Sequence, residues 1–442
     1  MKDFAVSRER KETDLAEKII YQIVFKMFTV EGTIQAAASR LEHIASLGVD
    51  IIYLSPFFEA DDDMDRSAWS ERQISSGMNN PKNPYRICDY FKIDPEYGDE
   101  TDLKEFIDKA HGLGMKVIFD LVYMHCGPSK FVKEHPTFVQ RKENGEIISS
   151  RYNFPYLDYN NPELCEYMWS NMLLWVEKFD VDGYRCDVAD RVPLFFWREG
   201  RRRIEAVKKP VYLINEGEDP EYLLEVFDGA YYNHDFSWNE VIQKAVKGNK
   251  RGLHHIIRMI YEALAARNPD GAILLRAYEN HDFVVDSFEE RIDRTHGDIT
   301  DALMVLNFVI DGTPMLYSGN EFAECRRHSM WRWSGDEYCL DWSVLDTERG
   351  QKRLELTKKL CELRHCHSVL CHGKTTMIKS EQLLAFLRED CEYTVKAWFN
   401  FGDKTVEQEL TGGEVLVCGN SEISDGMAAV KKGGYLVELI AK

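Results

Sequence analysis

The 442-residue chain predicts a (β/α)₈ barrel, the TIM-barrel architecture, followed by an antiparallel β-sandwich domain. Between about residues 19 and 320, short β-rich apolar runs alternate with longer segments of helical period, the pattern of repeated βα units on a parallel sheet. There are eight such runs, the number that closes a barrel. Beyond about residue 374 the pattern changes to short alternating runs separated by Gly and Asp, the mark of a separate antiparallel unit.

In order, the expected strands are 19–27, 49–54, 115–123, 181–187, 210–216, 229–236, 272–278 and 313–317. Amphipathic stretches at 34–47, 103–113, 163–179 and 253–266 lie between them, several ending at Gly, where a helix C-cap tolerates a left-handed residue. Two connections, 56–94 and 126–161, are too long for simple turns and are expected to roof the C-terminal face of the barrel. A charged helix at 347–366 precedes the strands 383–387, 393–400, 405–410 and 414–417. The expected division is a lead-in at 1–18, a barrel at 19–373 with a small inserted subdomain at 126–161, and a C-terminal β domain at 374–442.

With 75 acidic and 55 basic side chains the formal charge is −20, which argues against a nucleic-acid partner, since such binding replaces counterions with clustered Lys and Arg. No stretch reaches the 18 uninterrupted apolar residues of a membrane span, and the charged first 18 residues lack the apolar core of a signal peptide. The eleven cysteines are odd in number and scattered, so reduced thiols and a cytoplasmic location are expected. Oligomeric state is not legible.

Polar residues that close barrel strands converge on one face. Here 117–119 leads to Asp120 and His125, 181–184 to Arg185 and Asp187, 211–214 to Glu216, and 273–275 to Asn280, His281 and Asp282. Arg185 and Asp187, two apart on a strand, share a face, so the guanidinium can hold the carboxylate ionised and oriented as a nucleophile. A second carboxyl kept protonated by burial completes the usual apparatus of glycoside hydrolysis.

These residues resemble the α-amylase family, glycoside hydrolase family 13. The likeness rests on Asp120-Leu-Val-Tyr-Met-His125, Gly183-Tyr-Arg185-Cys-Asp187, the Glu216 strand end and Glu279-Asn-His281-Asp282, four motifs in order. Asn83-Pro-Tyr85 with Asp89, Ile93-Asp-Pro95 and the segment 311–321 add to it, and it covers about residues 19–442. The resemblance implies that Asp187 is the nucleophile, Glu216 the general acid and later base, and Asp282 the stabiliser of the transition state through the sugar's 2- and 3-hydroxyls. It also implies that His125 and His281 bond the sugar, Tyr85 stacks on its ring, Arg185 orients Asp187 and Asp120 belongs to the substrate site. The catalytic carboxyls of such a retaining enzyme lie about 5 to 5.5 Å apart.

The motif flavour is nearest the cyclomaltodextrinase and neopullulanase branch, from Val188-Ala-Asp-Arg-Val192 and Phe196-Trp-Arg198. Those relatives usually carry an N-terminal domain that this chain is expected to lack. Met124 stands where calcium-dependent amylases place an Asn ligand, and a thioether is a poor partner for a hard cation, so neither metal nor cofactor is expected. The acidic run 61–65 reads as a solvated loop, and the His/Cys cluster at 365–372 fits no common zinc spacing. Cys186 is expected to point away from Asp187, as a packing residue. The expected activity is retaining hydrolysis of α-linked glucosides. Its rivals are transglycosylation or sucrose or trehalose cleavage by the same site, and a catalytically silent glucan-binding or transporter-partner protein. Asp187 and Glu216 are expected at a solvent-reachable mouth.

Overall fold

The computed structural model describes residues 13–217, 219–231, 252–284, 291–333, 335 and 337–442. Parts of the expected lead-in and of the run 229–236, together with Glu218, lie outside them. The expected barrel is present. Its strands are β1 (Ile20–Ile23), β2 (Ile51–Leu54), β5 (Lys116–Leu121), β6 (Gly183–Cys186), β7 (Tyr212–Glu216), β8 (Gly229–Tyr231), β9 (Leu275–Arg276) and β10 (Thr313–Tyr317). Between the second and third of these a hairpin, β3 (Phe58–Ala60) and β4 (Ile87–Ile93), forms a two-stranded sheet of its own. The barrel strands run parallel in the order β8-β7-β6-β5-β2-β1-β10-β9, and a parallel bridge between Ala230 and Leu274 closes the ring.

Several strands are shorter than their apolar runs. The first stops at Ile23, because Phe25–Phe28 turns helical and buries Phe25, Met27 and Phe28. The stretch 34–47 is two short helices, Ile34–Ala38 and Leu41–Ala45, the first capped by the Thr33 side chain on the Ala36 amide. Helices Glu100–Gly112, Pro162–Phe179 and Leu253–Arg267 lie where the period placed them. Gly183 is required by close approach: its φ is +148°, and a Cβ there would sit 2.0 Å from the Tyr212 carbonyl oxygen of β7.

Alternation along the strands fills the barrel. Ile20, Ile51, Tyr53, Ile118, Tyr212, Ile214, Leu275 and Met315 form one buried cluster with Leu15 and Ala16, whose short helical turn plugs the N-terminal end. Above this apolar layer lies a polar one at the C-terminal strand ends, and it holds the candidate site.

The C-terminal unit is one antiparallel sheet of six strands: β11 (Lys374–Ile378), β12 (Leu384–Glu389), β13 (Tyr393–Phe399), β14 (Val406–Glu409), β15 (Glu414–Ser424) and β16 (Met427–Ala441). It is apolar on both faces: Leu384, Phe386, Ala397 and Val437 join the main core, while Leu383, Ala385, Trp398 and Leu436 form a second cluster. Two buried arginines fix this end of the chain, Arg364 tying the preceding helix to the barrel and Arg388 tying the sheet to it. From the helix Glu348–Cys366, Arg364 donates to the carbonyls of Ala16, Phe308, Leu370 and Gly312. Arg388 of β12 donates to those of Val309, Leu370 and Gly373.

Candidate active site

Arg185 of β6 is the hub. Its Nη1 donates to Asp120 Oδ1 at 2.6 Å and Asp187 Oδ1 at 2.9 Å, its Nη2 lies 2.6 Å from Glu216 Oε2, and its Nε donates to Tyr231 Oη at 2.8 Å. One guanidinium fork thus holds both catalytic candidates, as the short separation of a retaining pair requires. Immediately after Asp187 the chain turns sharply. Val188 has φ +40°, rare for a β-branched residue, and the turn aims its N–H at Glu216 Oε2, 2.9 Å away. This strained corner couples the end of β6 to that of β7.

The expected residues converge around the hub. His125 Nε2 lies 3.9 Å from Asp187 Oδ2. Asp120 Oδ2 accepts from Tyr53 Oη at 2.6 Å and from Tyr85 Oη at 3.2 Å. Tyr85 is also hydrogen-bonded to His281 Nε2, with the two ring planes 5° apart. The Asp282 carboxylate lies 3.6 Å from the same ring nitrogen and is steadied by Asn280. Behind them Glu279, fully buried, accepts from Arg291, the Ile292 amide and Asn320, which fixes the chain leading to His281 and Asp282.

Burial separates the charge states of these groups. It pushes the Glu216 carboxyl well above the usual carboxylate range, against the pull of Arg185, with Asp187 and Asp282 adding repulsion. Against the burial that would raise it, His281, Arg185 and Arg72 hold Asp282 below its ordinary value. Burial lowers His125 to about 4 and also lowers His281, so both imidazoles are neutral near pH 7. The site thus combines one carboxyl that its surroundings favour in the protonated form, Glu216, with one they favour ionised, Asp282.

The expectation of solvent-reachable carboxylates is corrected. Asp187 is 6% exposed and Glu216 1%, so both lie deeper than a freely open mouth would leave them. Besides Tyr53 and Tyr231, two further residues at the site were not singled out from sequence. Gln22 of β1, fully buried, donates through Nε2 to Ser55 Oγ at 3.1 Å and to His281 Nδ1 at 2.7 Å. This leaves the ring proton on Nε2, the atom facing Tyr85. Arg72, from the 56–94 connection, donates through Nη2 to the Asp282 carbonyl at 3.0 Å. The place of Gln22 two residues after a buried Ile was a readable signal for an inward polar group. Arg72 gave none.

Other candidates fall apart in space. His365 bonds Asp50, His372 bonds Glu17, and Cys371 donates to the Arg364 carbonyl of the preceding helix, so their side chains do not converge. In the acidic run, Asp61 and Asp63 are taken up by Ser129 and by loop amides. Among the described residues no group of three His, Cys, Asp or Glu side chains is arranged to hold a metal. All eleven cysteines are free, and Cys186 is fully buried in the core.

Replacing Arg185 by Met leaves the buried Asp120 and Asp187 without the guanidinium that neutralises them. The expected loss is about 3 to 5 kcal/mol of stability at neutral pH. Urea titrations should show the deficit shrinking as the pH falls and Asp120, which burial raises to about 7, takes up its proton.

A barrel whose polar layer gathers three carboxylic acids around one arginine, with two neutral histidines and a tyrosine at its rim, has the fold and site chemistry of an α-glycosidase barrel. Comparison with known proteins agrees. The sequence model of the family described as "Alpha amylase, catalytic domain" matches residues 3–146 and 147–354, and the chain belongs to that family. It is 26% identical to a maltogenic α-amylase of Bacillus acidopullulyticus over 86% of this chain and 64% of that protein. It is 25% identical to an intracellular maltogenic amylase of Bacillus subtilis over 92% and 69%. The crystal structure of a maltogenic α-amylase from Thermotoga neapolitana, 25% identical, superposes with a TM-score of 0.75 over 97% of both chains. The chain spans just under two thirds of the length of the first curated relatives it matches.

Proposed function

We propose that the protein is a retaining α-glycoside hydrolase acting on α-linked glucosides such as malto-oligosaccharides. The observation that carries this reading is the Arg185 fork, which presents Asp187 and a proton-bearing Glu216 together. In the first step an Asp187 oxygen attacks the anomeric carbon as the glycosidic C–O bond breaks. The Glu216 proton passes to the departing oxygen, leaving a glycosyl ester on Asp187. In the second step Glu216, now a carboxylate, takes a proton from water, and the resulting hydroxyl displaces Asp187 from the anomeric carbon. The Asp282 carboxylate faces the 2- and 3-hydroxyls, where its negative charge opposes the positive charge that develops on the ring, and His125 and His281 bond the sugar. The presence of all three carboxylates favours an enzyme over a silent binding protein.

The chemistry needs no metal in this reading. Met124, at the position of the usual calcium ligand, is partly buried against the apolar core, and its thioether offers a hard cation nothing. Among the described residues no helix is long and apolar enough to cross a membrane. Eleven free thiols suit a reducing compartment, and we place the protein in the cytoplasm on that ground.

The test is chromatography of the products formed from maltose through maltoheptaose, isomaltose, panose, sucrose and trehalose, with chelator present. Cleavage of α-glucosides at an unchanged rate in chelator is expected. A requirement for added calcium overturns the metal-free reading, and no cleavage with calcium restored overturns the hydrolase.

A further inference from the structure

We propose that the enzyme attacks only the non-reducing end of its substrate and releases one glucosyl unit at a time, because residues 61–82 form a strap across the side of the mouth through which a longer chain would have to continue. This rests on the hydrolase reading of the site and adds a substrate class to it.

The strap is tied on three sides. Towards the connection after β5, Asp61 and Asp63 accept from the amide and hydroxyl of Ser129, and Asn153 Nδ2 donates to the Trp69 carbonyl at 2.9 Å. Towards the segment after β10, the buried Asn80 donates to the Arg332 carbonyl at 3.1 Å. Towards the end of β9, Arg72 donates to the Asp282 carbonyl. Internally Gln73, fully buried, donates to the carbonyls of Asn80 and Pro81. A segment that leaves the barrel after β2 therefore reaches past β1 and β10 to the end of β9.

The ring order gives this its meaning. Counting round β8-β7-β6-β5-β2-β1-β10-β9, the strand diametrically opposite β7 is β1. The strap thus lies over the half of the mouth facing away from Glu216. Glu216 protonates the departing oxygen, so the leaving part of the substrate lies on its side of the site. In a pyranose, C1 and C4 are at opposite ends of the ring. When C1 sits at Asp187, O4, which carries a 4-linked glucan on towards its non-reducing end, points to the half the strap covers. The 3-hydroxyl assigned to Asp282 is the neighbour of O4, and Arg72 is bonded to Asp282. On that side stand the Arg72 guanidinium, held by the Asp282 backbone carbonyl, and a tied loop, an arrangement that suits a terminal hydroxyl and, on this proposal, bars a further sugar.

Two substrates test this: maltopentaose labelled at its reducing end, and a nitrophenyl maltoheptaoside whose terminal 4- and 6-hydroxyls are blocked by an ethylidene group. The label should appear first in tetraose, then in triose. The blocked substrate should be cut roughly 100-fold more slowly than its unblocked counterpart, or not at all. In Arg72→Ala and Asn80→Ala, the ratio of blocked to unblocked cleavage should rise about tenfold or more, a readout that cancels any general loss of activity. Comparable cleavage of both substrates by the wild type, label appearing first in shorter products, or an unchanged ratio in both variants overturns the strap. If neither substrate is cut, the hydrolase reading falls and this one with it.

Discussion

Asp187→Asn should yield a folded protein that turns over α-glucosides roughly 10⁴-fold more slowly than wild type, or worse. The amide keeps the shape of the carboxylate and still accepts a hydrogen bond from Arg185, so packing survives. It cannot form the glycosyl ester on which both steps depend. Arg185 remains paired with Asp120 and Glu216, so no buried charge is stranded. Steady-state kinetics on maltotriose, with circular dichroism as the folding control, measures the effect. In the wild type, mass spectrometry after reaction with a slow fluorinated glucosyl donor should find the added sugar on the peptide containing Asp187. Near-normal turnover in Asp187→Asn would show that another group is the nucleophile.

Glu216→Gln should lower kcat for substrates with poor leaving groups by about 10²- to 10⁴-fold, the usual range for loss of a positioned proton donor. Activated aryl glucosides, whose departing oxygen needs little help, should suffer much less in the first step. The same substitution should not lower stability at neutral pH, and raising it is the expected direction. The sign follows from burial. The folded state holds the Glu216 proton more tightly than the unfolded chain does. This side chain therefore favours folding fully below the ordinary carboxylate range and loses that contribution as pH rises towards its elevated value. A neutral amide carries no such penalty. Thermal melts of the two proteins across neutral pH test it, and the wild-type rate should fall on the alkaline side as Glu216 gives up its proton. A variant that melts well below wild type at neutral pH while keeping its fold would show that the ionised acid stabilises the structure.

Much of this site was legible because strands have a period of two. Asp120, Arg185 and Glu216 each close an apolar run, and that alone puts them at one end of a barrel. The family motifs then attached roles to positions the pattern had already marked. The depth of burial was not legible, since it depends on how 56–94 and 126–161 fold back over the mouth, and loops carry no period. Arg72 illustrates the gap: its partner is 210 residues away, and it sits on a five-residue helix that no apolar stripe announces. The C-terminal strands 374–378 and 427–441 were missed for a related reason. Their polar edge residues obscure the alternation, and pairing with β12, β13 and β15 holds them extended.

Arg388, which ties the terminal sheet to the barrel, bears on how this chain can be divided. Composition changes near residue 374, which invites a cut there. Yet Arg388 lies beyond the cut and serves the carbonyls of Val309, Leu370 and Gly373 on the barrel side of it. A catalytic fragment ending at 373 would leave the Val309 carbonyl buried without the donor it has in the whole protein. The visible seam is therefore not a joint. Anyone joining this chain to another protein has a safer attachment point at Lys442, which is exposed to solvent, than at the boundary the sequence displays.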